Sequence, residues 1–250
     1  MNFIESFKKC ANDYADKVRI DFENAIINWD FDVDKANLLN VSGGLLSRQC
    51  MLGTEFVREP LFWNQIDSPL LLRSMLEVTI NLGWISLDPK ARSDLFVDFG
   101  LGQSKLGLEQ ARNLESLSLE EKRNVDQQEL WLNCHRHEIF GDVNVGLWSG
   151  ISLEKMAQES NLRSCFDMYS ALVGAAHGTW EHLTDFYNTP DASEFQAKIP
   201  DILLMPNSIE SAAEQVNITF SIFRRIAGQN EDLQTYLDFI DCLSCLRSRL

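Results

Sequence analysis

Basic residues are scarce in this sequence: 22 Lys and Arg stand against 37 Asp and Glu in 250 residues, a formal net charge of -15. A broad nucleic-acid surface needs cations to neutralise phosphates, so that class of partner is excluded for the surface as a whole, though not for a local basic pocket. No stretch offers eighteen consecutive uncharged apolar residues. The nearest, 70–87, contains Arg73 and Glu77, both costly in lipid, so no membrane span is expected. The N-terminus, MNFIESFKKCANDY, lacks the uninterrupted apolar core of a secretory signal, and a cytoplasmic protein is expected. Glycine-rich phosphate loops, the G-x-S-x-G elbow and the dinucleotide fingerprint are missing, as are H-E-x-x-H and the E-x-x-H pairs of di-iron bundles. No cofactor is therefore expected. The six cysteines (10, 50, 134, 165, 242 and 245) form no disulfide framework in a chain this long, and most sit among apolar neighbours, so reduced thiols are the expectation. Alternating strand patterns, internal repeats and low-complexity tracts are also missing.

What is present is helical periodicity. Phe3, Phe7, Cys10, Tyr14, Val18, Phe22, Ala25 and Trp29 recur by threes and fours, which predicts one long amphipathic helix. A second helix is expected over about 36–58, weakened by Gly43-Gly44. The stretch 68–87, SPLLLRSMLEVTINLGWISL, is apolar on nearly every face and predicts a buried central helix, capped by Ser68 and stopped by Asp88-Pro89. Beyond Pro89 the pattern stays helical on both sides of Gly100 and Gly102, a pair that suggests a kink or break. Ser118 with Glu121 reads as a capping box for a helix to about His137, and Ser152 caps a short helix ending near Asn161. One helix is expected over 162–187, rich in small residues that let a neighbour approach. A helix from Asn207 or Ser208 to Gly228 and a last one from about Glu231 complete the chain. The expectation is a single all-α domain over 1–250 of about seven or eight helices, with 68–87 at its centre and 162–187 against it.

Several clusters carry ligand or proton-transfer chemistry by residue type. Arg73, Glu77 and Asn81 are spaced by four, so they form a polar stripe on an otherwise apolar helix. An ion stranded in a core costs about 3–5 kcal/mol, so Arg73 and Glu77 are expected to pair. A structural pair and a functional one are both open readings. His177, Glu181 and Asp185 share a helical face by fours, either as a solvated face or as a carboxylate holding an imidazole. Asp30, Asp32 and Asp34 begin like a calcium loop, but Lys35 and Val41 stand where Gly and Glu are needed, so an acidic turn is expected. Cys134, His135, His137 and Glu138 are ligand types that diverge around one helix, and Cys242-x-x-Cys245 lacks a second pair. No metal site is expected.

The segments LLLRSMLEVTINLGWI, FVDFGLGQSKL, GLWSGISLEKMAQES and YSALVGAAHGTWEHL resemble a family of bacterial helical proteins, domain of unknown function 5677. The likeness covers about 60–190, with the helices of 1–59 and the pair in 207–248 expected to pack on that core. Its motifs fall here on Arg73 and Glu77, on Gly100 to Leu106, on Trp148 with Ser149, and on Tyr169 with His177. Where the family commonly places a Ser between that Tyr and His, this sequence has Gly174. The family is also distantly similar to helical nucleases of defence and toxin systems that carry an Arg and a His on one helix. That motif is absent, and the nearest substitute brings Arg73 and His177 together from different helices, where His moves a proton and Arg stabilises phosphorane charge without a metal.

Arg73, Glu77, Tyr169 and His177 are therefore expected to converge, with Asn81 and Trp180 beside them. The preferred expectation is a non-enzymatic binding or interaction protein whose polar pocket takes a small ligand or a partner. The alternative is a metal-independent ribonuclease with Arg73, Glu77, Tyr169 and His177 as its catalytic candidates.

Overall fold

Periodicity decides the elements. The computed structural model of the chain describes residues 3–30, 32–114, 116–134, 146–187, 203–205, 207–230 and 232–247, and every named element among them is helical. The first half supplies α1 (Phe3–Ile27), α2 (Ala36–Arg58), α3 (Asp67–Ile85), α4 (Pro89–Arg112) and α5 (Leu119–Cys134). The second supplies α6 (Leu153–Glu159), α7 (Arg163–Ala171), α8 (Val173–His177), α9 (Trp180–Tyr187), α10 (Ser208–Ile226) and α11 (Gln234–Arg247). Outside the helices, one antiparallel bridge from Asn64 to Leu204 ties the entrance of α3 to that of α10. The protein is a single all-α domain. None of the described helices is long and apolar enough to cross a membrane.

Eleven described α-helices exceed the seven or eight expected, chiefly because 162–187 is three helices rather than one. Leu172 caps α7, and Gly178 ends α8 in the left-handed region at φ 59°, its N–H bonded to Gly174 O at 2.8 Å. Glycine takes that conformation without a Cβ penalty, so the helix stops there. The opposite correction applies to α4, which runs unbroken through Gly100 and Gly102. Its backbone hydrogen bonds survive and the two glycines cost only their low helix propensity.

Local signals set most boundaries. Ser118 and Glu121 form the reciprocal capping box, Glu121 accepting from Ser118 N–H at 2.7 Å and Ser118 Oγ from Glu121 N–H at 3.2 Å. Ser152 Oγ accepts from Lys155 N–H and opens α6. Asp32 caps a 3-10 turn, Val33–Lys35, by accepting from Asp34 N–H, which is the acidic turn expected there. The start of α3 is a correction: Asn64 Oδ1, not Ser68, accepts from the N–H groups of Ile66 and Asp67, both at 2.8 Å. Ser68 is buried and its hydroxyl donates to Phe62 O at 2.7 Å.

Packing makes α3 the centre, because it touches α2, α4, α6, α7, α8 and α10. One face carries Leu72, Met75 and Leu82 into the main core, which α1, α2, α10 and α11 complete with Val18, Leu46, Phe56, Val216, Phe223 and Phe239. A second face carries Leu76, Ile80 and Trp84 into a smaller core with Met156, Ala157 and Cys165. Each such side chain contributes about 1.5–3 kcal/mol when fully buried. Gly53 allows α2 and α10 to meet closely, since a Cβ there would stand 2.3 Å from Val216 Cγ2.

The first and last described helices, α1 and α11, pack on each other. Tyr14 of α1 stacks on Phe239 of α11 with ring centroids 4.2 Å apart, and Lys17 pairs with Asp238. Beside them Cys10 and Cys242 are joined as a disulfide, which corrects the expectation of six reduced thiols. Their separation of 232 residues explains why no local pattern signals the pairing.

Candidate functional site

The polar stripe of α3 is not uniformly buried. Arg73 is half-buried, Glu77 exposed and Asn81 buried, although the three share one helical face. Arg73 reaches across to α7. Its guanidinium carbon lies 3.6 Å from the centre of the Tyr169 ring, and Nη1–H donates to Tyr169 O at 2.7 Å. That carbonyl belongs to the last turn of α7, where a helix leaves acceptors without intrahelical amides and where positive charge is favoured. Arg73 is therefore a cross-helix cap as well as a stacking cation. The expected Arg73–Glu77 ion pair is absent: no Arg73 nitrogen lies within 4.0 Å of Glu77. Arg73 has turned to Tyr169, and Glu77 stays exposed at the surface.

Glu77 acts on the same ring at longer range. Burial raises the Tyr169 hydroxyl above the ordinary tyrosine value, the Glu77 carboxylate raises it further, and Arg73 opposes both. Phe166 stacks beside Tyr169 at 6.0 Å and extends the aromatic surface.

One turn further along α3, Asn81 Oδ1 accepts from Trp148 Nε1–H at 3.3 Å. Trp148 stands edge-on to Trp84 at 5.4 Å and to Phe96 at 4.8 Å. Trp84 Nε1–H donates to Glu159 Oε2 at 2.8 Å, and Arg92 lies 3.8 Å over the Trp84 ring while donating to Trp84 O at 2.6 Å. Arg92 also lies 3.9 Å from Glu159. The sequence reading missed this second arginine–aromatic unit. Its members come from α3, α4, α6 and the turn before α6, and no local spacing links them.

His177 and Trp180 stand apart from the stripe. His177 is exposed at the end of α8, and no hydrogen bond, ion pair or ring contact joins it to Arg73, Glu77 or Tyr169. Trp180 is 68% exposed at the start of α9. The face expected from His177, Glu181 and Asp185 does not form as one helical face, because the turn at Gly178 separates His177 from α9. The side chain of Asp185 lies outside the described residues. Gly174 has a structural reason: a Cβ there would stand 3.0 Å from His182 Cβ and 3.2 Å from Thr179 Oγ1. The serine pattern of the resemblance would crowd that turn.

Metal-ligand types do not gather in threes among the described residues. Cys134 is exposed at the end of α5, and His135, His137 and Glu138 lie outside the described residues. Cys242 is joined to Cys10, while Cys245 is exposed.

A polar network hidden on the other side of α3 also escaped the sequence reading. Thr79 Oγ1 lies 3.1 Å from Gln215 Oε1, 3.1 Å from Thr219 Oγ1, 3.1 Å from Met75 O and 3.4 Å from Gln49 Nε2. All four side chains are buried, and Cys165 Sγ lies 3.9 Å from Gln215 Oε1. Glutamines and threonines at core positions of apolar helices were the available signal.

The stripe and its partners Trp148 and Tyr169 lie inside the part of the chain that a comparison with known families recognises. No curated protein and no solved structure matches the chain. A family of unknown function, DUF5677, matches residues 39–195, and its span covers Arg73, Trp148, Tyr169 and His177 alike. With well over half of its length inside that match, the chain belongs to the DUF5677 family.

Proposed function

We propose that this chain is a non-enzymatic binding protein that takes a small ligand or a partner peptide on the face formed by Arg73, Glu77 and Tyr169. The observation that carries the reading is the posture of Arg73: stacked on a ring, anchored by one N–H and half-exposed. A guanidinium has five N–H donors in a rigid fork, so donors remain for an acceptor such as a carboxylate. Glu77, one turn away and exposed, offers an acceptor to a donor on the same ligand. Asn81 is committed to Trp148 and supports the face from behind. In this reading the protein works in a bacterial cytoplasm, as the family resemblance suggests.

A second reading, a metal-independent ribonuclease of a defence or toxin system, is favoured by one observation. α8, which ends in His177, packs against α3, which bears Arg73. Against it stand the missing link between the two side chains and a net charge of -15, which repels a polyanion.

The test is a thermal-shift screen of carboxylate-bearing small molecules and peptides on wild type and on Arg73→Gln. The binding reading expects a compound that raises the wild-type midpoint and leaves that of the folded Arg73→Gln protein unmoved. Total RNA incubated with either protein in chelator should stay intact. RNA cleavage in chelator that disappears in both Arg73→Gln and His177→Ala, with both variants folded, would replace this reading with the ribonuclease.

A further inference from the structure

We propose that Cys10 and Cys242 are a reversible redox site, oxidised by a low-molecular-weight disulfide such as glutathione disulfide and reopened by glutathione, which fastens α11 onto α1. The Cα atoms are 6.5 Å apart, inside the range that a disulfide spans without backbone movement. The two residues sit on helices that already pack together, so closing the bond needs no rearrangement. A surface groove opens on the pair, lined among others by Asp13, Lys17, Thr235 and Asp238, and gives a small reagent a path to the sulfurs. Both helices lie outside residues 39–195, so the site belongs to what this chain adds around the family-matched region.

Exposure orders the steps. Cys242 is half-buried and Cys10 is buried, so Cys242 reacts first. Its thiolate attacks one sulfur of glutathione disulfide, forming a Cys242–glutathione mixed disulfide and expelling one glutathione thiolate. The Cys10 thiolate then attacks Cys242 Sγ, forming the protein disulfide and expelling the second glutathione thiolate. Two protein thiols are oxidised, one glutathione disulfide is reduced to two glutathiones, and the two protons lost by the protein pass to them. Glutathione in excess runs the same steps backward. Cys50 and Cys165 do not line this groove, and burial pushes Cys50 up to about 12 and raises Cys165 as well.

The consequence falls on α11. It packs on α1 and α10, so with the bond open it is held to α1 by the Tyr14–Phe239 stack, the Lys17–Asp238 pair and apolar burial. Closing the bond ties positions 232 residues apart and removes much of the freedom of the unfolded chain.

The experiment equilibrates the full-length protein in glutathione buffers from fully reduced to fully oxidised, alkylates the remaining thiols, and maps disulfide-linked peptides by mass spectrometry. Thermal midpoints are measured in the same buffers. The expected result is a Cys10–Cys242 link in oxidising buffer that vanishes in reducing buffer, with an oxidised midpoint higher by on the order of 10 °C. That difference should vanish in Cys242→Ala and persist in Cys245→Ser. A wild type that stays unlinked in oxidising buffer would overturn the proposal, as would a Cys242–Cys245 link in its place or a link that leaves the midpoint unmoved. The wild-type comparison decides the matter even if a variant fails to fold.

Discussion

Two faces of α3 hold polar residues, and they treat them in opposite ways. On the inner face Thr79 meets Gln49, Gln215 and Thr219 in a cluster with no access to water. On the outer face Arg73 and Glu77 share a helical row, yet one is half-buried and the other exposed. The inner cluster has no surface on which to act, so it fixes how α2, α3 and α10 sit. In that low-dielectric setting hydrogen bonds strengthen and an unmade one is costly, and Gln49 Oε1 is left without a partner there. The outer stripe keeps donors and acceptors at the surface, where they contribute less to folding and more to recognition. Polar residues on a core helix thus divide into those that specify packing and those that face a ligand, and burial rather than residue type separates them.

The largest expected effect comes from breaking the inner cluster. Gln215→Ala removes a buried side chain, opens a cavity and leaves Thr79 with fewer partners, so it should cost about 2–5 kcal/mol in urea unfolding. The smallest concerns the outer stripe and is electrostatic. The Tyr169 hydroxyl should titrate above the ordinary tyrosine value of 10.0, measured as the 295 nm absorbance difference between wild type and Tyr169→Phe. Glu77→Gln should bring it down, because that carboxylate helps hold the proton on, while Arg73→Gln should push it further up. The sign for stability follows. A group whose folded value is raised contributes stability that is complete below the unfolded value and lost as pH climbs through the folded one, so the contribution disappears above pH 10.

The helical architecture was legible because periodicity over ten or more residues is a strong signal, and the capping box at Ser118 and Glu121 appeared as read. Helix breaks were harder. Gly178 stops a helix and Gly102 does not, a difference set by the backbone each adopts in the folded protein rather than by residue type. The phase of the stripe at Arg73, Glu77 and Asn81 was readable, but its depth was not. Spacing places residues on a face, whereas the neighbours that bury or expose it come from α7 and from the turn before α6. That is why Arg73 chose the Tyr169 carbonyl, 96 residues away, over Glu77 on the next turn. The same distance problem hid the Trp84, Arg92 and Glu159 unit and the link between Cys10 and Cys242.

The central claim is that Arg73 is placed for recognition and its loss costs the fold little, whereas the loss of Gln215 costs it more. One urea series on Arg73→Gln and Gln215→Ala, read as unfolding free energies with the slope checked against wild type, tests it. The account predicts a loss of about 1 kcal/mol for Arg73→Gln, from the stack and one hydrogen bond at a partly exposed site, and at least twice that for Gln215→Ala. Equal losses, or a larger one for Arg73→Gln, would make the guanidinium a structural pin of α7 and contradict the division between the two faces.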